Sequence, residues 1–388
     1  MRKILLLLLL PLLSLNMALG YTKVGNGVLR SNGTQSDTQA AVNAASSGQT
    51  VQIPSGSYTW ASGVTLKRGI TLQGGGKNVT TLTKIGTFLI NVPAVANVTT
   101  RITGIAFLGD HALSIGVSAG RAPFRVDDCR FDGNTRQCIL VQIFGNGPGL
   151  IDHCEFSAGR GSAMIQNFGM GPKDVSGWLD EVVPGSANAI YIEDCTFNKN
   201  PLNDAYYWGC AALQSFYGAR TVVRHCTLNY CQLDQHGTPG AIGARWYEFY
   251  ENTFFVPSGG NQSDYMVLRA GSGVVFNNHK TGFKNLGAGQ IQVVAEEPDY
   301  PSLYQVGRGI NQKSSPAYFW GNDAEMPVRS RSSNVVLGRD YFVSTGQPSS
   351  LLRQELATDT SSTTYSYVPY PYPHPLISRS VPEARKTK

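Results

Sequence analysis

Within the stretch NYCQLDQHGTPGAIGARW, Asp234 and His236 stand eleven and nine residues ahead of Arg245, and a second arginine, Arg269, follows in the next repeat. An imidazole, which ordinarily titrates near neutral pH, can take a proton from a carbon next to a carboxylate. A guanidinium beside it can hold that carboxylate and the enolate-like charge that forms. Asp234, His236, Arg245 and Arg269 are therefore the candidate set for β-elimination, with His236 as base. The loop NPLNDAYYWGC offers Asp204, Tyr206, Tyr207 and Trp208 at the same edge; a tyrosine there could protonate the leaving oxygen, and Tyr207 with Trp208 could wall a sugar ring. Hydrolysis instead needs two carboxyls about 5 to 10 Å apart. Asp234 has Asp204, Asp264 and Glu296 as candidate partners, but no two acids occupy adjacent outward strand positions, so hydrolysis ranks second. Binding without reaction is the third reading, in which a loop histidine merely bonds backbone.

These residues need a scaffold, and the sequence repeats one. The segments FRVDDCRF, GLIDHCEF, IYIEDCTF, TVVRHCTL, YEFYENTF and GVVFNNHK align on a Cys or Asn. An apolar residue stands three places before it (Val126, Ile151, Ile192, Val223, Phe249, Val275), and Phe131, Phe156, Phe197, Leu228 and Phe254 follow two after. The residue just before it is always polar: Asp128, His153, Asp194, His225, Glu251 and Asn277. Such alternation makes short strands on either side of a bend. Column spacings of 25, 41, 31, 26 and 26 residues fit a coil of about two dozen residues with loop insertions, the signature of a solenoid. The largest insertion, residues 169–187, is expected to leave the body.

A second strand follows each bend: CILVQIF, SAMIQNF, CAALQSF, AIGARWY, DYMVLRA and GQIQVVA. Aligned, they put Gln142, Gln166, Gln214, Arg245, Arg269 and Gln292 in one outward column, because strand side chains alternate. Amides suit sugar hydroxyls and arginine forks suit carboxylates. Phe144, Phe168, Phe216 and Tyr247 stand two places further on and are expected to face the same way, where sugar rings could stack. The plainer reading is that the amides satisfy one another up the sheet.

Arg2 and Lys3, the apolar run Ile4–Leu13 and the small residues Ala18 and Gly20 read as a signal peptide, because the apolar core is well short of the ~20 residues that span a bilayer. The protein is accordingly expected to be secreted, extracellular or periplasmic, and not membrane-bound. Without residues 1–20, 30 Lys and Arg face 26 Asp and Glu, lowering the net charge from +6 to +4. That balance is too mild for nucleic acid. Forty-three glycines with 15% charged residues fit a turn-rich β protein. Cys129, Cys154, Cys195 and Cys226 share one repeat position, with Cys138 and Cys210 one strand later, so they read as buried thiols and not as metal ligands or disulfides.

SDTQAAVNAASSGQTVQIPSGSYTW reads as an amphipathic helix, with Ser36 as N-cap candidate, then a turn and a strand; the helix caps the first rung. The fold expected is all-β: a right-handed parallel β-helix, or solenoid, with an N-terminal capping helix. Its divisions are residues 1–20 as signal peptide, 21–100 as cap and first coils, 101–297 as core, and 298–388 as C-terminal coils and an extended tail. The tail, with its Tyr-Pro steps in SSTTYSYVPYPYPHPL, is expected to lie on the body. A monomer is expected.

On the helix followed by SGQTVQIPSGSYTW, the GITLQGGG turn and the C-x-F or N-T-F bends, the chain from residue 34 to residue 295 resembles the pectate-lyase-like superfamily of single-stranded right-handed parallel β-helix proteins. The resemblance implies a polysaccharide substrate, here an acidic one, and a groove on the outside of one sheet. The paired-Asp signature of polygalacturonase-like hydrolases is absent. Many related lyases use calcium, and the bend acids Asp127, Asp128, Asp152, Glu193 and Asp194 gather oxygens that could hold Ca²⁺; an acid-base ladder of structural type is the preferred reading, so no metal site is assigned, no cofactor is certain and Ca²⁺ stays open.

Overall fold

The computed structural model describes residues 20–84, 88–133, 139–158, 163–171, 174, 176–179, 182–199, 211–237, 242–256, 264–282, 289–295, 305–309, 314–353 and 363–378. Among them, strands stack into three long sheets of thirteen, nine and ten members. All pairs in these sheets are parallel except the opening one, Thr22–Gly25 with Val28–Arg30. Through the middle of the chain each coil gives one strand to the first sheet, one to the second and one to the third, so sheet neighbours there are three strands apart in sequence. This winding is a right-handed parallel β-helix, the hand that parallel crossovers adopt.

The repeat residues do what their columns predicted. Val126, Ile151, Ile192, Val223, Phe249 and Val275 lie side by side in the first sheet, facing inward. In the second sheet Phe107, Phe131, Phe156 and Phe197 form an internal stack with ring centroids 5.0, 4.7 and 4.8 Å apart, which is the natural spacing of neighbouring strands. Burying each such ring contributes about 1.5–3 kcal/mol.

Between these sheets the chain bends at one residue per coil. Asp128, His153, Asp194, His225, Glu251 and Asn277 all have left-handed backbone, with φ of 48°, 53°, 53°, 54°, 55° and 51°. Asp, Asn and His tolerate that conformation better than most residues, so the polar column is a conformational requirement. The next residue turns inward. Cys129, Cys154, Cys195 and Cys226 are buried free thiols, and burial pushes the first three well above the usual thiol range. Later coils replace the thiol by Asn252, Asn278 and Asn322, whose amides donate up the column at 3.0 and 2.8 Å. Cys138 and Cys210 lie outside the described residues.

The capping helix is Gln35–Ala44, with Thr34 and not Ser36 at its N-cap. Asp37 accepts the Asn32 N–H at 2.7 Å, and Thr38 N–H already donates to Thr34 O. Those bonds start the helix two residues early and leave Ser36 in its first turn. Ala41 and Val42 close the core at that end.

The outer face of the first sheet is covered by the C-terminal segment, residues 363–378. Tyr367, Tyr370 and Leu376 pack against Leu150, Tyr191, Val222, Tyr250, Phe276 and Trp320. The segment crosses the coils in reverse: Tyr367 Oη donates to Glu248 at 2.6 Å, His374 N–H to Glu193 at 2.9 Å, and Arg125 reaches the Leu376 and Ile377 carbonyls. Beneath it, Arg224 and Glu193 form an ion pair at 2.6 Å with both side chains fully buried. Arg224 also donates to the Tyr370 and Pro371 carbonyls.

Tyr247 does not join the outward column. It belongs to the first-sheet strand Trp246–Tyr250, points into the core and is fully buried, with no hydrogen-bond partner for its hydroxyl among the described residues. A buried unsatisfied hydroxyl costs about 1–3 kcal/mol. Tyr247→Phe is therefore expected to leave the thermal midpoint unchanged or raise it; a clear fall in midpoint would overturn this placement.

Candidate functional site

The third sheet carries two parallel outward rows. In the first, Gln142, Gln166 and Gln214 are in register on the strands Val141–Phe144, Ala163–Phe168 and Ala211–Phe216. Their amides donate in one direction, Gln142 to Gln166 at 2.9 Å and Gln166 to Gln214 at 3.4 Å. The row then meets a carboxylate: Gln214 Nε2 donates to Asp234 Oδ2 at 3.2 Å. In the second row Phe144, Phe168 and Phe216 stack at 5.4 and 5.0 Å, and the next ring, 4.5 Å from Phe216, is His236. Tyr217 broadens this platform, 5.9 Å from Phe168 and 5.5 Å from Phe216.

The amide row and the aromatic row thus end side by side on the strand Gln232–Gln235 and the residue after it. His236 Nδ1 lies 3.0 Å from Asp234 Oδ2, and Arg269 Nε lies 3.5 Å from Asp234 Oδ1. The Asp234 side chain is 1% exposed, against 19% for His236 and 20% for Arg269. An ionised carboxylate only accepts, so Nδ1 donates to it and Nε2 keeps the basic lone pair. Nε2 makes no hydrogen bond among the described residues. Backbone pairing holds the imidazole in place: His236 N–H donates to Ser215 O, Ala244 N–H to His236 O, and Arg269 N–H to Gln235 O. The 169–187 insertion returns to support that turn. Trp178, fully buried, donates to Gly243 O at 2.8 Å, so this described part of the insertion packs on the body and does not leave it.

Two arginines are not where the alignment put them. After Gln214 the first row continues as Asp234, Val267, Gln292 and Arg329. Arg245 precedes the first-sheet strand Trp246–Tyr250, is 1% exposed, and lays its guanidinium 4.7 Å over the Trp178 ring. The cause is a short connection. In the coil begun at Cys226 the second-sheet strand ends at Asn229 and the third begins at Gln232, so QLDQ is the third-sheet strand and AIGARWY already belongs to the next turn. Arg269 sits in the second row beside His236, two residues past the position given to it. Gln292 is in the first row, its amide donating to Asp264 at 3.2 and 3.3 Å. Asp204, Tyr206, Tyr207, Trp208 and Glu296 lie outside the described residues.

Arg329 and Arg331 were missed. Arg329 pairs in register with Gln292, and Arg331 N–H donates to Val293 O, which continues both outward rows. Both are exposed, and Arg331 comes within 3.7 Å of Asp264. The signal was present in VRSRSS, where arginines two apart share one strand face.

Calcium finds no fitting donor set at the bends. Asp127 is paired with Arg101 at 2.6 Å, Asp152 with Arg125 at 2.8 Å and Glu193 with Arg224. Asp128 meets Lys77, and Asp194 accepts from Tyr372 Oη. Among the described residues, no group of three or more His, Cys, Asp or Glu is placed to hold a metal, and no helix is long and apolar enough to cross a membrane.

No family model and no curated protein matches the sequence. Solved structures do. ORF18 of Geobacillus virus E2 aligns at 14% identity over 83% of this chain, with a TM-score of 0.39; the chain spans 64% of that protein's length. An alginate lyase from Paenibacillus sp. str. FPU-7 aligns at 13% identity over 82% of this chain and 94% of its own, with a TM-score of 0.41. Pectin methylesterase from carrot aligns at 16% identity over 67% and 84%, with a TM-score of 0.34. The three-sheeted parallel coil is the right-handed parallel β-helix that the sequence resemblance implied.

Proposed function

We propose that the chain is an exported enzyme that processes an acidic polysaccharide, a lyase cleaving a uronate-containing polymer by β-elimination in the groove over the third sheet. The observation that carries this reading is the Asp234–His236–Arg269 cluster where the amide and aromatic rows meet. A sugar chain lying along the rows stacks its ring faces on Phe144, Phe168 and Phe216 and offers hydroxyls to the glutamines. His236 Nε2 removes the proton from the carbon next to the uronate carboxylate. Arg269 faces that carboxylate and the charge that develops on it, at a site where fixed cations act strongly. The electron pair then forms the new carbon–carbon double bond, the bond to the leaving oxygen breaks, and that oxygen takes a proton. Asp234 is a positioning residue: it sets the imidazole's tautomer and orientation.

Hydrolysis through Asp234 is disfavoured. Its carboxylate is 1% exposed and already engaged by His236, Gln214 and Arg269, which leaves no place for a nucleophilic water. The experiment is a panel of uronate polymers, with the protein expressed from its whole gene and collected outside the cytoplasm. Rising ultraviolet absorbance from the unsaturated product is expected. New reducing ends without that absorbance would replace the lyase by a hydrolase, binding with neither signal would leave a non-catalytic glycan-binding protein, and full-length protein confined to the cytoplasm would end the export claim.

A further inference from the structure

Along the two outward rows of the third sheet, side-chain chemistry changes at Asp234. From Asn91 to Gln214 in one row, and from Pro93 to Phe216 in the other, no position carries a charge. Beyond Asp234 come Arg269, Arg329 and Arg331, set among the described residues against one acid, Asp264, which is 5% exposed and already accepts from Gln290 at 2.9 Å. Arg329 and Arg331 project from the last strand of the third sheet and the residue after it, three strands past the one that holds Asp234. At about 4.8 Å per strand that is roughly 14 Å. Two cations on one face repel unless an anion lies between them, and among the described residues Arg331 has only the distant carboxylate of Asp264, at 3.7 Å, while remaining 47% exposed.

We infer that Arg329 and Arg331 form a remote subsite for a sugar carboxylate, so that the groove reads an acidic residue well away from the reacting bond as well as the one at it. The subsite rests on the polysaccharide reading of the same groove. It makes the groove directional: the neutral, aromatic half accepts sugars by their faces and hydroxyls, and the cationic half selects for charge. Chains too short to reach from His236 to Arg331 gain nothing from it. Because both arginines are exposed, the attraction is screened by salt on the scale of the ~8–10 Å Debye length.

The competing account is that the pair guards an open sheet edge, where charged side chains discourage edge-to-edge pairing. The test is affinity gel electrophoresis and steady-state kinetics of Arg329→Gln, Arg331→Gln and the double variant, on uronate polymer and on uronate trimer or shorter. The double variant is expected to bind polymer roughly 10- to 100-fold more weakly, with the loss in KM, a flatter salt dependence, and a much smaller penalty on short oligomers. Unchanged polymer binding with faster aggregation would overturn the subsite and leave the edge-guarding role, whatever the activity. Weakened polymer binding in a protein whose parent shows no elimination would keep the subsite and overturn the lyase reading alone.

Discussion

Alanine at His236 is expected to lower kcat on a responsive uronate polymer by about 10²- to 10⁴-fold, the usual contribution of a general base. The loss should fall on turnover and not on folding, because the partly exposed ring lies against Phe216 just past a strand whose backbone pairing does not depend on it. The thermal midpoint therefore serves as the control. Asp234→Asn asks a narrower question. It keeps the volume but removes the charge that holds Nδ1, so a comparable fall in kcat with little change in KM is expected. A His236→Ala enzyme within threefold of the parent rate would remove the imidazole from the mechanism.

Arg224→Ala is expected to cost about 3–5 kcal/mol of folding stability, because it strands the fully buried Glu193 carboxylate and frees two carbonyls of the C-terminal segment. Urea unfolding measures the loss, and limited proteolysis should release residues 363–378 first. A loss under about 1 kcal/mol would mean that apolar contacts alone hold the segment. Acid should loosen the same place. His225 stacks on Tyr372 at a ring distance of 3.7 Å, and burial lowers its pKa from the usual value despite Glu251 and Asp194 nearby. Folding therefore opposes its protonation. The stability it contributes is complete above the ordinary histidine pKa of about 6.5 and is lost as pH falls through the lower folded-state value.

The coil was legible because one column fixes its geometry. A left-handed bend, an inward Cys or Asn and a core Phe or Leu two places later recur in the coils from Cys129 to Asn252, and each is a backbone or packing necessity. The rows of the site were legible only as far as the repeat stayed regular. Gln142, Gln166 and Gln214 fell into line, but the coil after Cys226 has almost no connection between its second and third strands, and an alignment that expected a loop slid past QLDQ onto AIGARWY. Arg269 was then placed in the wrong row but on the right face. Arg329 and Arg331 lie beyond the point where the repeat fades, on a strand of three residues. The path of the tail is marked in the structure by the strands Ile190–Glu193, Arg220–Arg224 and Trp246–Tyr250, which are buried at every position because residues 363–378 cover the outer face there.

A solenoid ordinarily grows by nearest-neighbour contacts, each turn stable once the one before it is in place. Here the tail spans separations of 251 and 252 residues, from Arg125 to Leu376 and Ile377. A chain wound only as far as Trp320 would still present Tyr191, Val222, Tyr250, Phe276 and Trp320 to solvent, because their cover lies further along it, at residues 363–378. The wall therefore closes only when that segment docks, and a strand-by-strand assembly is turned into a closed, cooperative object by one long-range step.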